Sequence, residues 1–428
     1  MKNILLSLLL ASSALLAQSS QVSNIPLPKT YIQNLDPYPC DQDCMQDFID
    51  KKMILSFLSY ATSKLEDEVL NEIRMFNISI LNIGSNSLTG KLNIALLLPY
   101  KRIGKYAAST TNASFAYLMT KNHSFDLKSY KIESESKDEI SKALQKIKED
   151  GFSHVIAPLT MQGANIISNI DPEINIYFPT IHKKDVATSS PYLFYGAIDY
   201  KAQTDVLLKG ATSPLVIFYD QSATGKKLAA YEEEHFKYTL VPASGSSNVD
   251  SFGAYIEKPH RVLKPNARVI KYSIPKRTSN LQSQLKRNSR IKGATFFINT
   301  PIIKTSMILS QLTLYDVYPK KVLSTQVNYN PLLLSMTQYE DRKRMLITNS
   351  ITENTNLLIE TNNLLGNDIV YDWINYTTTV GVDFFYNKIT GEAREYKIPL
   401  KNSQMIYPIE IIKPSISKFD ILHSSSEE

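Results

Sequence analysis

The sequence predicts an α/β protein of two doubly wound, Rossmann-like lobes behind a short N-terminal helical extension. Three observations carry this expectation. Leu92-Asn-Ile-Ala-Leu-Leu-Leu-Pro-Tyr100 is a nearly unbroken apolar run opened by Lys91 and stopped by Pro99, the pattern of a strand buried on both faces of a sheet. From there, strand and helix patterns alternate through most of the remaining chain. The alternation runs twice, and each run implies a mostly parallel sheet with right-handed crossovers.

The N-terminus precedes the fold. Met1-Lys-Asn is a short basic region, and Ile4 to Leu16 is apolar with small residues interspersed. Ala17-Gln18 offers a small-residue cleavage point, with positions near Gln21 as alternatives, so 1–17 reads as a signal peptide. An uncleaved anchor is the competing reading, although the run is short for a membrane span. No cysteine stands near the cleavage point to take a lipid. The expected product is a soluble protein in an exported compartment.

Composition sets further limits. Hydrophobic residues make up 43% and charged residues 21% of 428 residues, as in ordinary globular chains. The net charge of +6 falls to +5 if Lys2 leaves with the signal peptide, and no basic stripe carries aromatics, which argues against nucleic acid. The two cysteines, Cys40 and Cys44, stand in Pro-Cys-Asp-Gln-Asp-Cys. In an oxidising compartment they form a tight disulfide worth about 2 kcal/mol, stapling the start of the next helix. A redox role is the alternative, but three residues separate the thiols rather than two.

Taken in order, residues 45 to 78 predict one helix, with Phe48, Ile49, Met53, Phe57, Leu58, Ala61, Leu65, Val69, Ile73 and Phe76 at spacings of three and four. Its stripe packs on the body, folds back as a hairpin, or serves as an interaction module. Asn82 to Gly90 reads as a linker, closing an extension over 18–90. The body spans 91–412. Its first lobe covers about 91–210 plus late segments, with strands at Leu92–Tyr100, Phe125–Ile132, His154–Leu159, Ile174–Thr180 and Tyr192–Ile198. Gly104–Thr111 reads as a polar turn. Helices are expected at Ala113–Met119, Lys137–Glu149 (stopped by Gly151), Met161–Ile170 and Tyr200–Lys209. The second lobe, about 211–345, has strands at Pro214–Tyr219, Val269–Ile274, Ala294–Ile298, Lys321–Gln326 and Met345–Thr348. Its helices are expected at Gly225–Phe236, Leu281–Asn288 and Ile302–Leu314, while Val241 to Arg268 gives no clear periodicity. A helix over Ile369–Tyr386, a terminal hairpin over Glu395–Ile412 and a tail over 413–428 complete the reading.

Several of these segments together resemble the type I periplasmic binding proteins. Ile94-Ala-Leu-Leu-Leu-Pro99 resembles their opening strand. Ile156-Ala-Pro-Leu-Thr160 is similar to the Ile-Gly-Pro-Leu run ending the third strand, most of all in the penicillin-binding protein activator branch, with Ala157 in place of the glycine. Asp220-Gln-Ser-Ala-Thr-Gly225 is similar to the loop opening the first helix of the second lobe. Gly293-Ala-Thr-Phe-Phe-Ile298 resembles a later strand, and Gly381-Val-Asp383 the Gly-x-Asp of the late helix. The resemblance covers about residues 91 to 390, and the fold serves uptake, sensing and regulation of cell-wall enzymes alike.

The resemblance implies a ligand cleft between the lobes, at the carboxyl ends of the strands. In the amino-acid receptors the loop after the third strand grips a carboxylate. Here that loop offers Thr160, Gln162 and Gly163, with a simple N-cap as the other reading of Thr160. Tyr100 and Arg102 from the first-strand loop, and His182 beside Lys183 and Lys184, face the same cleft, or else form solvated turns. Tyr219 and Asp220 are the nearest match to the receptors' ammonium clamp. The implied role is non-catalytic: a regulator or scaffold for envelope partners such as peptidoglycan synthases, or alternatively a solute-binding receptor of an ABC transporter for amino acids or small peptides. The partners are thus a small polar ligand in the cleft or an envelope protein, with no cofactor.

Enzymatic patterns are weak. The six histidines are scattered. Glu232-Glu-Glu-His235 reads as a solvated helix face rather than a metal site. Gly225-Lys-Lys lacks the upstream glycine of a P-loop, and no Gly-x-Ser-x-Gly elbow occurs.

Overall fold

A computed structural model describes residues 32, 38–62, 65–81, 92–187, 190–241 and 260–422. The expected signal peptide, the 82–90 linker and the last six residues lie outside the described residues. Contacts divide the chain into an N-terminal unit, which also takes in 121–125, and a body formed by the rest.

The N-terminal unit corrects the expected single helix. It holds three helices: α1 (Gln42–Asp50), α2 (Ile54–Tyr60) and α3 (Glu68–Ile80). The apolar stripe folds back on itself and buries Phe57, Leu58, Ala61 and Leu70, which one straight helix would leave in water. The break after α1 passes through Lys52 in the left-handed region, φ 59°. The break before α3 is tied by buried Arg74, whose Nε donates to the Ala61 carbonyl at 2.6 Å. Asp41 caps α1, accepting from the Cys44 N–H at 3.0 Å, and the Cys40–Cys44 disulfide spans that same first turn.

The body holds two seven-stranded sheets. Strand β1 (Leu92–Leu98) is buried along its length apart from Asn93, which is half-buried. Around it lie β2 (Phe125–Lys131), β3 (His154–Ile156), β4 (Asn175–Phe178) and β5 (Leu193–Tyr195), in the order β5-β4-β3-β1-β2. Parallel registers include Ala95 opposite Val155 and Ile176 opposite Leu193. The expected turn at Gly104–Thr111 is instead the start of helix α4 (Lys105–Met119). Small buried residues, Ala107, Thr110, Ala113 and Ser114, let α4 approach a later helix closely, an advantage that periodicity of large residues does not reveal. Helices α5 (Lys137–Glu149) and α6 (Met161–Ile170) have the expected bounds. Ser136 caps α5, and Gly151 at φ 81° stops it.

The second sheet repeats the pattern. Strands β6 (Leu215–Asp220), β9 (Val269–Ile274), β10 (Thr295–Asn299), β11 (Lys321–Ser324) and β12 (Met345–Asn349) run in the order β12-β11-β10-β6-β9. With β6 as the first strand, this is the same second-first-third-fourth-fifth arrangement as in the first lobe. The unreadable stretch contains a two-stranded ribbon, β7 (Tyr238–Val241) with β8 (His260–Leu263). The helix expected over Leu281–Asn288 shrinks to one turn, Gln282–Leu285. Arg287 stands at φ 55° and Asn288 spends its amide on the Gln284 carbonyl at 2.7 Å.

Three corrections concern which lobe a segment joins. Helix α7 (Tyr200–Leu208), assigned by sequence to the first lobe, packs on β11, β12 and on α8 (Ala223–Lys237) of the second. Helix α9 (Ile302–Leu314) follows β10, and α10 (Asn356–Leu364) and α11 (Trp373–Thr390) return to the first lobe against α4. The expected terminal hairpin splits. β13 (Leu400–Lys401) and β14 (Gln404–Met405) join the first sheet beside β5, whereas β15 (Glu410–Pro414) pairs antiparallel with β12. The stretch read as a tail from 413 carries β16 (Phe419–Ile421) on the edge of the second sheet. The chain therefore crosses between lobes three times: before α7, after β12 and after β14.

Candidate functional site

The carboxyl ends of both parallel sheets meet the crossings, where α/β proteins hold ligands. A cavity of about 300 Å³ opens there. The first lobe and first crossing supply Met161, His182, Lys184 and Asp199, and the second lobe supplies Thr224, Lys227 and Leu228. Its aromatic wall is the edge-to-face pair Tyr200 and Trp373, with ring centroids 6.2 Å apart.

Asp199 organises the polar side. It caps α7, accepting from the N–H groups of Lys201 and Ala202 at 3.0 Å each, and takes Lys184 Nζ at 2.9 Å. Burial works to raise its pKa, but the Lys184 ammonium and the Ala202 amide outweigh burial and hold it below the ordinary carboxylate value. His182 Nε2 lies 3.5 Å from Asp199, while its Nδ1 accepts the Lys184 N–H at 3.1 Å, which places the ring proton on Nε2. Burial lowers the His182 pKa, and Asp199 offsets part of that shift, so the imidazole is neutral at pH 7. Lys201, also lining the cavity, sits over the Tyr231 ring at 5.6 Å.

Of the residues proposed from sequence, His182 and its neighbour Lys184 line this cavity, whereas Tyr100, Arg102, Thr160, Gln162, Gly163, Lys183, Tyr219 and Asp220 do not. Thr160 stands at the N-terminus of α6, where its amide donates to Glu135 Oε1 at 2.7 Å and its hydroxyl hydrogen-bonds Glu135 Oε2. Thr160 does occupy the N-cap position of α6, as the other reading of it expects, but its hydroxyl makes no capping bond to the helix. Glu135 is 2% exposed, and Gly163 gives it room: a Cβ there would come within 2.9 Å of its Cδ. The helix N-terminus expected to grip a ligand carboxylate thus holds a carboxylate of its own chain. Gln162 instead accepts from Arg102 Nη2 at 3.1 Å, and exposed Tyr100 stacks under Lys131 Nζ at 5.0 Å. Asp220 accepts from the Ser222 hydroxyl at 2.6 Å, in the turn where Ser222 caps α8, and Tyr219 is half-buried beside it.

Sequence reasoning passed over Glu135, Asp199, Lys227 and Trp373. Asp199 just before a helix had the local signature of a cap, and Trp373 is the single tryptophan of the chain. Glu135 gave no sign, because its partner lies 25 residues away. The Glu232–His235 face also needs correction: Glu232 is fully buried, whereas Glu233 pairs with Lys237 at 2.6 Å and also with Lys271. Among the described residues no group of three or more His, Cys, Asp or Glu is placed to hold a metal, and no helix is long and apolar enough to cross a membrane.

No family model and no curated protein matches the sequence. Solved structures do match in shape. A branched-chain amino acid ABC transporter periplasmic ligand-binding protein from Burkholderia xenovorans superposes with TM-score 0.53 at 11% identity, over 78% of this chain and 95% of that one. An extracellular ligand binding receptor from Desulfohalobium retbaense gives 0.51 at 11%, over 78% and 59%. The C-domain of LpoA from Haemophilus influenzae, a regulator of PBP1A, gives 0.50 at 10%, over 77% and 100%. At these identities the likeness establishes the fold: two α/β lobes of the type I periplasmic binding protein kind. Receptors and a regulator share it.

Proposed function

We propose that this protein is an exported, non-catalytic, periplasmic binding-protein-like regulator or scaffold, acting on envelope partners of the peptidoglycan-synthase class. The observation that carries this reading is Glu135. A free amino acid would have to displace a buried carboxylate from the α6 N-terminus before its own could dock, and burying two carboxylates together is costly. Tyr219 and Asp220 offer no clamp in compensation, since Asp220 is held in its own turn. The LpoA likeness agrees with the regulator role, and the signal-peptide pattern with the periplasm.

A solute receptor for amino acids or small peptides is the second reading, favoured by the aromatic wall and three lysines of the 300 Å³ cavity. Thermal-shift measurements against free amino acids, small peptides and cell-wall fragments separate the two. The regulator reading expects no shift with amino acids and recovery of a membrane-bound synthase in a pull-down from envelopes. A shift of several degrees with one amino acid, undiminished by excess synthase, sinks it. Glu135→Ala should vacate the helix N-terminus and introduce weak carboxylate binding that the native chain lacks.

A further inference from the structure

Behind the His182–Asp199 pair lies a second cavity, of about 580 Å³. It shares that pair and Lys184 with the cleft, but none of its remaining walls: Ala202, Ser350, Lys401, Met405, Ile406 and Ile409 are its own. These walls sample every connection between the lobes. Asp199 and Ala202 flank the first crossing, Ser350 follows β12 at the second, and Met405 to Ile409 form the third. The size lies within the range of small-molecule sites.

The lining is amphipathic. Ala202, Met405, Ile406 and Ile409 make an apolar side, and Ile406 is 41% exposed at its edge. On the polar side Lys184 is held by Asp199 at 2.9 Å, and Lys183 donates to the Asn402 carbonyl at 2.8 Å. Lys401 is exposed and makes no ion pair among the described residues. Lys183 likewise has no carboxylate partner, but its ammonium is engaged by that carbonyl, so among the described residues Lys401 is the cation of this lining that is left without a partner. An available ammonium beside an apolar wall matches a ligand with one anionic end and a hydrocarbon body.

We propose that this cavity is a ligand site for an amphipathic monocarboxylic acid, with its carboxylate on Lys401 and its hydrocarbon on Met405, Ile406 and Ile409. A molecule there rests on the third crossing in a cavity whose other walls, Asp199, Ala202 and Ser350, belong to the first two, so its occupancy biases the angle between the lobes. The site does not depend on the regulator reading.

Calorimetry on the purified protein, with octanoate as probe, tests it. Octanoate should bind saturably at one site below about 1 mM, whereas octylamine, of opposite charge, and butyrate, too short to reach the wall, should not. Lys401→Glu and Ile406→Asp change exposed side chains and should each weaken octanoate by about tenfold or more. Their melting curves, followed by circular dichroism, should match the native protein. Trp373→Ala, which alters the cleft but not this cavity, should leave octanoate affinity unchanged. Loss of binding in Trp373→Ala with none in Lys401→Glu would place the acid in the cleft and overturn the assignment. Equal binding of octylamine, or no saturation at millimolar octanoate, would overturn it as well.

Discussion

Both carboxyl oxygens of Glu232 accept from Asn299 Nδ2, at 2.7 and 2.8 Å, and the side chain is fully buried. Burial raises its pKa well above 4.5, against a smaller opposing effect of the Asn299 amide. The folded state therefore keeps a proton that the unfolded chain releases. Its contribution is fully present below about pH 4.5 and drains away as pH rises toward the elevated folded value. Glu232→Gln has no proton to lose. Asn299 Oδ1, which lacks a partner, can accept from the new amide if the Asn299 side chain turns over. The variant should match the native protein near pH 4 and be more stable by about 1–2 kcal/mol at pH 8. Melting temperatures across that range test this, and a difference that does not vary with pH contradicts it. None of this was visible in Glu-Glu-Glu-His, since charge in a sequence does not say which side of a helix faces the sheet.

At the scale of elements, the late helix α11 shows what its Gly-x-Asp does. A Cβ on Gly381 would overlap the Tyr177 ring, which is fully buried and donates to the Thr377 carbonyl at 2.9 Å. Asp383, two residues on and so on a different face of α11, accepts from Tyr117 Oη at 2.7 Å, Arg394 Nε at 3.0 Å and the Glu395 amide at 2.7 Å. The motif thus seats α11 on the sheet and on α4. Gly381→Ala should cost about 3 kcal/mol by overpacking, and Tyr177→Leu in the same chain should recover part of that loss. Urea unfolding of the four members of the cycle measures the coupling, and additive losses would remove the packing account. Elements with local signals were legible: α5 between Ser136 and Gly151, α6, and α9 all have their expected bounds. Elements shaped by distant partners were not. The N-terminal stripe reads as one helix because periodicity records an apolar face and not where it folds back. The start of α4 reads as a turn because its buried residues are small and polar.

Across the whole molecule, the crossings are held by a buried amide network. Gln203 on α7 donates to Gln326 Oε1 at 3.0 Å and to Ser350 Oγ at 2.8 Å, and its own Oε1 accepts the Gln326 N–H at 3.1 Å. The first crossing is thereby bound to the segments that follow β11 and β12. Gln203→Leu strands several of these buried groups and should cost about 2–3 kcal/mol, read from denaturant midpoints. A loss below about 0.5 kcal/mol would mean that the network is not what secures the crossings.

By itself the sequence determined that two α/β runs follow one another, where most strands begin, and that two cysteines pair ahead of a helix. These follow from caps, glycines and apolar runs, whose effects act within a few residues. Only the tertiary structure decided which lobe α7 and the C-terminal strands join, that Glu135 fills the α6 N-terminus, and that His182, Asp199, Lys227 and Trp373 share one cavity. Those outcomes depend on groups far apart in the chain, and which distant surfaces come together is set by burial in the folded state rather than by local pattern.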